Sequence, residues 1–260
     1  MTEARPKLVL VVGAMKCGTT SLFQYLGAHP EVLPSSPKQL NHFSDDARWA
    51  RGLDTYLDHW PRPRGGKWLL EASPSYSYPD RAEVSAARIA SLDADLRLVY
   101  LVRDPFERIE SHWFHGRHRG EFADCASLGQ ALRTRPRLLD TTRYCRWIDA
   151  YRRHFGEDRF RVVPTAALDT DPAGALADLC RFIGIDETFD FPDLRTRYNT
   201  RETQLEDHPL VTRMQASGPL RRAVRRLLPL RLRQGLKLRM KSRGLEVEPD
   251  RLSPEERAFV

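Results

Sequence analysis

The segment 7–21 constrains the fold of this chain more than any other, because it combines a strand, a tight turn and a helix start. Its apolar run, Leu8–Val12, predicts a strand that is buried on both faces. The turn Gly13–Gly18 follows, and a helix is predicted from Thr19 to about Ala28. The N–H groups of such a turn converge and the positive end of the helix dipole adds to them, so the segment predicts an anion-binding cradle.

The side chains of the cradle favour a tetrahedral anion such as phosphate or sulfate. Lys16 supplies a positive charge inside the turn. Thr19, Thr20 and Ser21 supply hydroxyl donors at the helix start. An ordinary strand–helix turn with incidental glycines is the alternative interpretation. We disfavour it because the lysine, the hydroxyls and the apolar strand occur together.

The turn differs from the loop of nucleotide kinases in the position of its lysine. That loop has a glycine, four further residues and then Gly-Lys-Ser/Thr. Here Gly13 and Gly18 have the matching spacing, but Thr19 stands where the lysine is expected. The residue pair that serves the γ-phosphate and Mg²⁺ is therefore missing, and no metal requirement is predicted.

Length and composition indicate a folded α/β protein. The 260 residues, 41% of them hydrophobic, suffice for one large domain or two small ones. No apolar run reaches the length of a membrane span and the N-terminus lacks a secretory segment, so we expect a soluble, cytoplasmic protein. The four cysteines lack CxxC spacing, which favours reduced thiols over disulfides or a zinc site.

Strand and helix patterns alternate along the chain, which predicts a P-loop-like central parallel sheet with helices on both faces. We interpret residues 1–260 as a single α/β domain whose C-terminal part, 219–260, is basic and helical. Besides Leu8–Val12, the predicted strands are Lys67–Glu71, Arg97–Val102 and Phe160–Val163. The predicted helices after the first are Arg81–Ser91, Pro105–Arg119, Thr142–Phe155 and Pro172–Ile183, the last with Gly184 as its C-cap.

Positive charge is concentrated in Arg221–Arg243 of a chain whose formal net charge is +7, which favours anionic ligands. Two interpretations of the segment stay open: contact with an anionic membrane surface or polyanionic substrate, and a solvated helix pair broken at Pro229. No nucleic-acid motif accompanies the charge, so no nucleic-acid partner is expected. From Ser253 the sequence predicts a helix with a capping box that stops after about two turns, as it would in a truncated chain.

A second anion site is predicted after the strand that ends at Val102. Arg103 follows this strand at the sheet edge where open α/β folds bind their ligands. Asp104 is a suitable N-cap for the next helix, and Ser111 lies roughly two helical turns on. Arg103 and Ser111 are therefore predicted to reach one phosphate from two sides. The alternative for Arg103 is a surface salt bridge to Asp104 or Glu107.

Two segments of the chain resemble the signature elements of sulfotransferases, enzymes that use 3′-phosphoadenosine 5′-phosphosulfate (PAPS). They are GAMKCGTTSLFQYLGAHP, which contains the cradle, and LVYLVRDPFERIESHW. The resemblance is closer to the branch that contains the heparan sulfate sulfotransferases and their bacterial relatives. Leu69–Tyr76 and Lys38–Phe43 are similar to further stretches of that branch, and the resemblance covers most of residues 7–200.

The resemblance implies roles for both predicted anion sites. The cradle would hold the 5′-phosphosulfate, with Lys16 near the bridging oxygen as a catalytic residue, and Arg103 and Ser111 would hold the 3′-phosphate. The product would be adenosine 3′,5′-bisphosphate (PAP), and sulfuryl transfer needs no Mg²⁺. The implied residues of the cradle are Lys16, Cys17, Gly18, Thr19, Thr20 and Ser21.

The general base of the resembled branch is missing from this sequence. There it is a glutamate that directly follows a lysine, whereas this chain has Gln39 after Lys38, and an amide cannot accept a proton at neutral pH. Three explanations stay open: His42 acts as the base, Glu71 does, or Gln39 orients an acceptor that is already nucleophilic, such as an amine. We prefer His42, with Glu71 next. The alternative for His42 is a loop histidine that packs beside Phe43.

The resulting hypothesis is sulfuryl transfer from PAPS to a hydroxyl group, or less favourably an amine, of a glycan, glycolipid or secondary metabolite. A P-loop-type nucleotide kinase is one alternative, against which the displaced lysine argues. A catalytically impaired PAPS-binding module is the other, which Gln39 keeps open. The small-molecule or glycan acceptor is expected to contact Pro34–Arg64, Gly116–Leu139 and the loop after Asp186.

Overall fold

The computed structural model describes residues 5–62, 65–118, 120–194 and 251–260. The strands of this part are β1 (Lys7–Gly13), β2 (Val32–Pro34), β3 (Trp68–Ala72), β4 (Asp95–Val102) and β5 (Phe160–Pro164). They form one parallel sheet in the order β2-β3-β1-β4-β5. The helices are α1 (Thr19–Leu26), α2 (Asp46–Trp49), α3 (Gly52–Leu57), α4 (Ala82–Ala90), α5 (Pro105–His118), α6 (Leu128–Thr134), α7 (Pro136–Asp140), α8 (Tyr144–Arg152), α9 (Thr165–Thr170), α10 (Pro172–Ile183) and α11 (Pro254–Phe259).

The central strands are buried on both faces. Every residue of β3, and every residue of β1 after Lys7, is buried. Successive side chains of a strand point to opposite faces of the sheet, so burial of all of them requires a layer on each face. The predicted fold class, a parallel sheet covered by helices, is confirmed.

The position of β1 in the sheet brings two loops together. β1 pairs with β3 on one side and with β4 on the other, with Val11 opposite both Ala72 and Val99. The chain leaves β1 towards β2 and leaves β4 towards β5, so the two connections run to opposite sides of the sheet. The loops that follow β1 and β4 lie side by side at the carboxyl edge, which is where open α/β sheets form their ligand-binding crevice.

The predicted elements agree with the structure apart from their ends and several short additions. All four predicted strands and all five predicted helices within residues 7–183 are present, and Gly184 caps α10 in the left-handed conformation with φ of 83°. The capping box at Ser253 is also present. β2 and the short helices α2, α3, α6, α7 and α9 were not predicted. Each of them has at most seven residues, too few for a hydrophobic period to stand out.

The described residues belong to one compact unit of the chain, Met1–Tyr198 with Asp250–Val260. Its main core surrounds the sheet, and a second apolar cluster joins α5 and α6 to Leu252 near the C-terminus. The basic segment Arg221–Arg243 lies outside the described residues, and the single-domain interpretation of the whole chain stays a prediction. No helix in the described ranges has the length and apolar character needed to cross a bilayer.

Candidate functional site

The predicted cradle lies against the end of β4. The N–H of Ala14 donates to the carbonyl of Leu101 at 2.8 Å, so the loop after β1 rests on the neighbouring strand. Gly18 adopts the left-handed conformation with φ of 84°, and α1 begins at the next residue. The first turn of α1 contains no acidic residue. Its N–H groups have no partner within the helix, so they and the helix dipole favour an anion at this end.

Gly13 is required by the close packing beneath the cradle. A Cβ atom at this position would lie 2.4 Å from Oγ of Ser77 and 2.8 Å from the ring of Tyr100. Neither distance is compatible with a side chain. Gly13 was predicted as the first glycine of the turn. It is also needed because only a residue without a side chain lets β1 approach Ser77 and Tyr100 this closely.

The second predicted anion site begins directly after β4. Asp104 caps α5, as predicted, by accepting a hydrogen bond from the N–H of Glu107 at 2.9 Å. Ser111 is buried on the second turn of α5. The guanidinium of Arg103 makes a salt bridge to Glu107 at 2.8 Å, which is the surface pairing weighed as an alternative. This exposed pair contributes little, so an anion can compete with Glu107 for Arg103.

Two residues that were not predicted hold the cradle and the end of β4 together. The hydroxyl of Thr165, at the start of α9, lies within hydrogen-bond distance of the carbonyls of Cys17 at 2.9 Å and Val102 at 3.0 Å, and its one proton is shared between them. The thiol of Cys17 lies 3.5 Å from the hydroxyl of Tyr144 at the start of α8. Cys17 is buried, and burial raises the pKa of its thiol. It fills space beneath the cradle as a neutral thiol.

A buried arginine lies beneath both predicted anion sites. Arg108 on α5 is 0% exposed, donates to the carbonyl of Leu138 and contacts Nδ1 of His112 at 3.3 Å. Its Nε atom has no hydrogen-bond partner among the described residues, and no carboxylate pairs with it there. Burial lowers the pKa of Arg108, while the neighbouring Tyr144 and Cys17 favour its charge. A buried cation without a carboxylate adds positive potential to this edge.

Lys38 is the main addition that the structure makes to the cradle. Its Nζ atom lies 3.1 Å from Oγ1 of Thr20 and 3.4 Å from Oγ1 of Thr19, the two hydroxyl groups at the start of α1. Burial lowers the pKa of Lys38 to about 8, and the carboxylate of Glu71 partly opposes that shift. In the sequence, Lys38–Phe43 is similar to a stretch of the sulfotransferase branch. The contact between Lys38 and Thr20 was not predicted, because no known sequence spacing relates the two residues.

Glu71, a predicted candidate for the general base, is fully enclosed. Its side chain is 0% exposed and accepts hydrogen bonds from the hydroxyls of Tyr56 and Tyr76, at 2.9 and 2.8 Å, and from the hydroxyl of Ser73. The N–H of Leu40 donates to it at 3.1 Å. Burial raises its pKa. Glu71 thus ties the segment after Lys38 to the end of β3.

His42, the preferred candidate for the base, lies inside an aromatic cluster. Its side chain is 4% exposed, and its ring lies 5.1 Å from that of Phe43, 5.8 Å from Trp49 and 4.9 Å from Tyr56. Burial lowers its pKa to about 4, so the ring is neutral at pH 7. Packing beside Phe43 was the alternative weighed for this histidine, and that contact is present.

A polar cleft of about 610 Å³ opens beside the cradle. Tyr78 connects the two, because it lines the cleft and its hydroxyl donates to Sδ of Met15 in the cradle at 3.5 Å. Gln39, which follows Lys38, also lines the cleft. Residues of the first predicted acceptor segment, 34–64, line one part of the cleft. The rest is lined by residues within 75–81, which the acceptor prediction did not include. Its lining residues are Gln39, Asn41, Ser44, Asp45, Asp46, Ala47, Arg48, Ser75, Tyr78, Asp80 and Arg81.

The sequence and fold of the chain have counterparts among known proteins. The sulfotransferase domain family matches residues 6–218 of this chain. The chain belongs to the sulfotransferase family. The crystal structure of a sulfotransferase from Alicyclobacillus acidocaldarius is 26% identical, with a TM-score of 0.61, and the match covers 74% of this chain and 89% of that one. Members of the family use PAPS as the sulfuryl donor. Among the described residues of this chain, no group of three His, Cys, Asp or Glu side chains is arranged to hold a metal ion.

Curated relatives match a part of their own length. Human heparan sulfate glucosamine 3-O-sulfotransferase 3B1 is 30% identical over 184 residues, which cover 68% of this chain and 45% of the relative. Human bifunctional heparan sulfate N-deacetylase/N-sulfotransferase 3 is 26% identical over 205 residues, which cover 72% of this chain and 23% of the relative. The chain therefore spans less than half the length of these relatives.

Proposed function

We propose that this chain transfers the sulfuryl group of PAPS to a hydroxyl group of a small-molecule or glycan acceptor. The observation that carries the proposal is that the two segments predicted to bind anions meet at one sheet edge, with a polar cleft beside them. The loop after β1 and the start of α5 follow adjacent strands, and PAPS has phosphate groups at two positions of its ribose. One mononucleotide with two separated anionic groups suits this pair of segments.

The residues of this edge fit such a donor. We assign the 5′-phosphosulfate to the cradle, in which Lys16, Thr19 and Thr20 supply charge and hydroxyl donors. We assign the 3′-phosphate to Arg103 and Ser111. PAPS supplies the sulfuryl group when it is bound. The acid-free start of α1 and the buried charge of Arg108 support an anionic ligand here, because both add positive potential without a carboxylate that would compete.

Lys38 is the residue that we place between donor and acceptor. Its ammonium already contacts the hydroxyls of Thr19 and Thr20, so an anion held by those hydroxyls would also meet a second lysine. Neutralising charge on the leaving phosphate is a large part of what such an enzyme must do. The neighbouring Gln39 is exposed in the cleft, where its amide can orient an acceptor hydroxyl by hydrogen bonding.

The burial of the two candidate bases favours structural roles for them. Glu71 already accepts hydrogen bonds from three hydroxyl groups and a backbone N–H, and His42 is packed among aromatic rings. We propose that both residues position the segment Lys38–Ser44. Gln39 is then left to orient the acceptor from the wall of the cleft. A hydroxyl acceptor, unlike the amine of the third explanation, must lose its proton during transfer, and we propose that water in the solvent-exposed cleft takes up this proton.

A catalytically impaired PAPS-binding module is the second candidate function. The observation that favours it is Gln39, an amide at the position where the resembled branch has its base. This candidate shares donor binding with the first and differs only in turnover.

We also propose a reducing compartment such as the cytoplasm. All four cysteines lie within the described residues and all are free, including the exposed Cys145. Free thiols persist where the surroundings keep them reduced.

Binding and transfer assays separate these candidates. We expect PAP to bind more tightly than ATP, and labelled sulfate to pass from PAPS to an acceptor. Lys16→Ala should lower the transfer rate about 100-fold or more, as loss of a group that stabilises developing charge does. Arg103→Ala should weaken PAP binding about 10- to 100-fold, the range expected for a lost charge-assisted contact.

The matched control is Lys7→Ala, at the other end of β1 and roughly 20 Å from the cradle at about 3.3 Å per residue. It should leave both measurements unchanged. PAP binding without transfer to any acceptor would favour the impaired module. Parental PAP affinity in both site variants would reject the site assignment.

A further inference from the structure

The cleft beside the cradle continues the donor site. Lys38 contacts the cradle, the next residue Gln39 lines the cleft, and Tyr78, which also lines the cleft, contacts Met15. A molecule in this cleft therefore lies next to the anion-binding loop. If the chain transfers a sulfuryl group, as proposed above, the composition of the cleft decides which acceptors it admits.

The charges of the cleft and its paired side chains are balanced. Three carboxylates line it, those of Asp45, Asp46 and Asp80, together with the two guanidinium groups of Arg48 and Arg81. Arg88, which pairs with Asp46, makes the count equal, so the cleft offers a polyanion no net attraction and leaves neutral molecules unaffected.

Both guanidinium groups are already paired with these carboxylates. Arg48 lies 3.5 Å from Asp45, and Arg81 lies 3.5 Å from Asp46 and 3.4 Å from Asp80. Asp46 has a further partner in Arg88 at 2.5 Å. A carboxylate or sulfate on the acceptor would compete with an aspartate for either arginine, and it would come close to the negative charge of that aspartate.

The remaining polar groups of the cleft are uncharged amides and hydroxyls. The hydroxyl of Ser75 donates to Oδ1 of Asn41 at 2.7 Å and contacts the hydroxyl of Ser44 at 2.8 Å. With Gln39 and Tyr78 they present both donors and acceptors. Groups of this kind match the hydroxyls of a sugar or other polyol, each of which both donates and accepts hydrogen bonds.

We propose that the acceptor is a polyhydroxylated molecule without negative charge, of the class of neutral oligosaccharides, and that it binds in this cleft. The inference rests on the proposed sulfuryl transfer and specifies its acceptor. Uronate-bearing or sulfated chains should bind more weakly, because each arginine of the cleft already faces an aspartate and the cleft has no excess of positive charge.

The test compares two acceptors that differ in charge. One is a neutral β-linked N-acetylglucosamine oligosaccharide, and the other is an unsulfated heparosan oligosaccharide of equal length, in which every second sugar is a glucuronate. Binding of each to the PAP-loaded protein is measured by calorimetry, and sulfate transfer from labelled PAPS is measured in parallel. We expect the neutral oligosaccharide to bind at least about tenfold more tightly, which corresponds to about 1.4 kcal/mol.

The variant that tests the cause is Asp45→Asn with Asp80→Asn. Asparagine keeps the N-cap that Asp45 provides to α2, while the exchange leaves one carboxylate against two guanidinium groups. The preference should shrink several-fold, and 0.5 M salt should have a similar effect on the parent. The matched control, Asp93→Asn with Asp95→Asn, removes the same charge at the opposite end of β4 and should change nothing.

Three outcomes would overturn the inference. They are tighter binding of heparosan by the parent, a preference that the cleft variant leaves unchanged, and the absence of binding by either oligosaccharide. In each of them PAP binding and its loss in Arg103→Ala would remain intact, so the proposed donor site would stand. Failure of PAP binding itself would reject the proposed function instead.

Discussion

The fold brings the pKa of Lys38 close to neutral pH. Burial takes its pKa down to about 8, while its ammonium remains within hydrogen-bond distance of the hydroxyl of Thr20. A lysine in this state is charged at pH 7 and loses its charge within the pH range in which the protein can be studied. Its contribution to anion binding can therefore be measured by titration.

PAP affinity should fall as the pH rises above 8. Below pH 8 Lys38 is protonated and attracts the anion, and above it the free protein must take up a proton in order to bind. The dissociation constant should rise about twofold between pH 7 and 8, where half of Lys38 has lost its proton, and by up to about tenfold per unit well above that. Calorimetric titrations with PAP between pH 7 and 9.5 measure this.

Lys38→Arg is the matched variant, because arginine remains charged across this range. It should remove the pH dependence and retain most of the affinity at pH 7. The same slope in Lys38→Arg and in the parent would show that another group titrates.

Glu71→Gln separates a positioning role from a catalytic one. A glutamine would present an NH₂ group to hydroxyls and an N–H that now donate to a carboxylate. We expect a loss of about 2–4 kcal/mol in the free energy of unfolding, measured in urea, because buried donors lose their acceptor. Binding of PAP should weaken as well, because Lys38 belongs to the segment that Glu71 fixes. Parental stability and PAP affinity with a large loss of transfer rate would instead identify Glu71 as the base.

At the scale of elements, α5 connects the two halves of the proposed donor site to the rest of the protein. Arg103 precedes it, Ser111 lies on it, and Arg108 extends from it beneath the cradle. The correct start of this helix therefore fixes three of the residues that this edge uses. Asp104, whose side chain accepts from Glu107, determines that start.

Asp104→Ala should cost about 1 kcal/mol of stability, the usual loss when an N-cap is removed. Thermal unfolding measures that loss, and calorimetry should show a modest decrease in PAP affinity because the first turn of α5 frays. The control is Asp104→Asn, which keeps an acceptor at the cap. If the asparagine variant is destabilised as much as the alanine variant, the charge of Asp104 and not its hydrogen bond is responsible.

Local signals in the sequence were sufficient for these elements. The apolar run of β1, the cap at Asp104 and the glycine after α10 each depend on neighbouring residues, and each was predicted. β2 was not predicted, because its three residues are extended only by pairing with β3. An element stabilised by a distant partner leaves little trace in its own sequence.

At the scale of the whole molecule, contacts between neighbours in the sequence were predictable and contacts between distant segments were not. Lys16, Thr19 and Thr20 stand together in the sequence, so their proximity was predictable. The contact between Lys38 and Thr20, and the links from Thr165 to the cradle and β4, arise only when the sheet assembles. The burial of His42 likewise depends on Trp49 and Tyr56, which lie on the two helices that follow it in the sequence.

The second apolar cluster couples the C-terminal segment to the proposed donor site. Leu252 is buried against this cluster, which includes Ile109 and Trp113 of α5. The N–H of Leu252 donates to Glu110 at 3.2 Å, and the guanidinium of Arg257 lies 4.8 Å from the ring of Phe106. The stability of α5 therefore depends on residues that are more than a hundred positions away in sequence.

Leu252→Ala should destabilise the protein by about 2–3 kcal/mol, as removal of a buried leucine side chain does. PAP at 100 times its dissociation constant should restore about 2.7 kcal/mol, because it binds the folded state only. Thermal unfolding with and without PAP measures both effects. The control Phe259→Ala, at an exposed position of α11, should have little effect. Equal losses in the two variants would contradict the proposed coupling.

The stretch from Lys38 to Ser44 serves the cradle and the cleft within seven residues. Lys38 contacts Thr20 at one end, Ser44 lines the cleft at the other, and Glu71 and Ser73 fix the backbone between them. Diversification of this stretch is therefore restricted to exchanges of side chains at constant loop length. An insertion here would shift Lys38 from the threonines and disturb both sites at once. Libraries for directed evolution should vary residues 44–48 and the cleft-lining Ser75, Tyr78, Asp80 and Arg81, and leave the spacing of 38–41 intact.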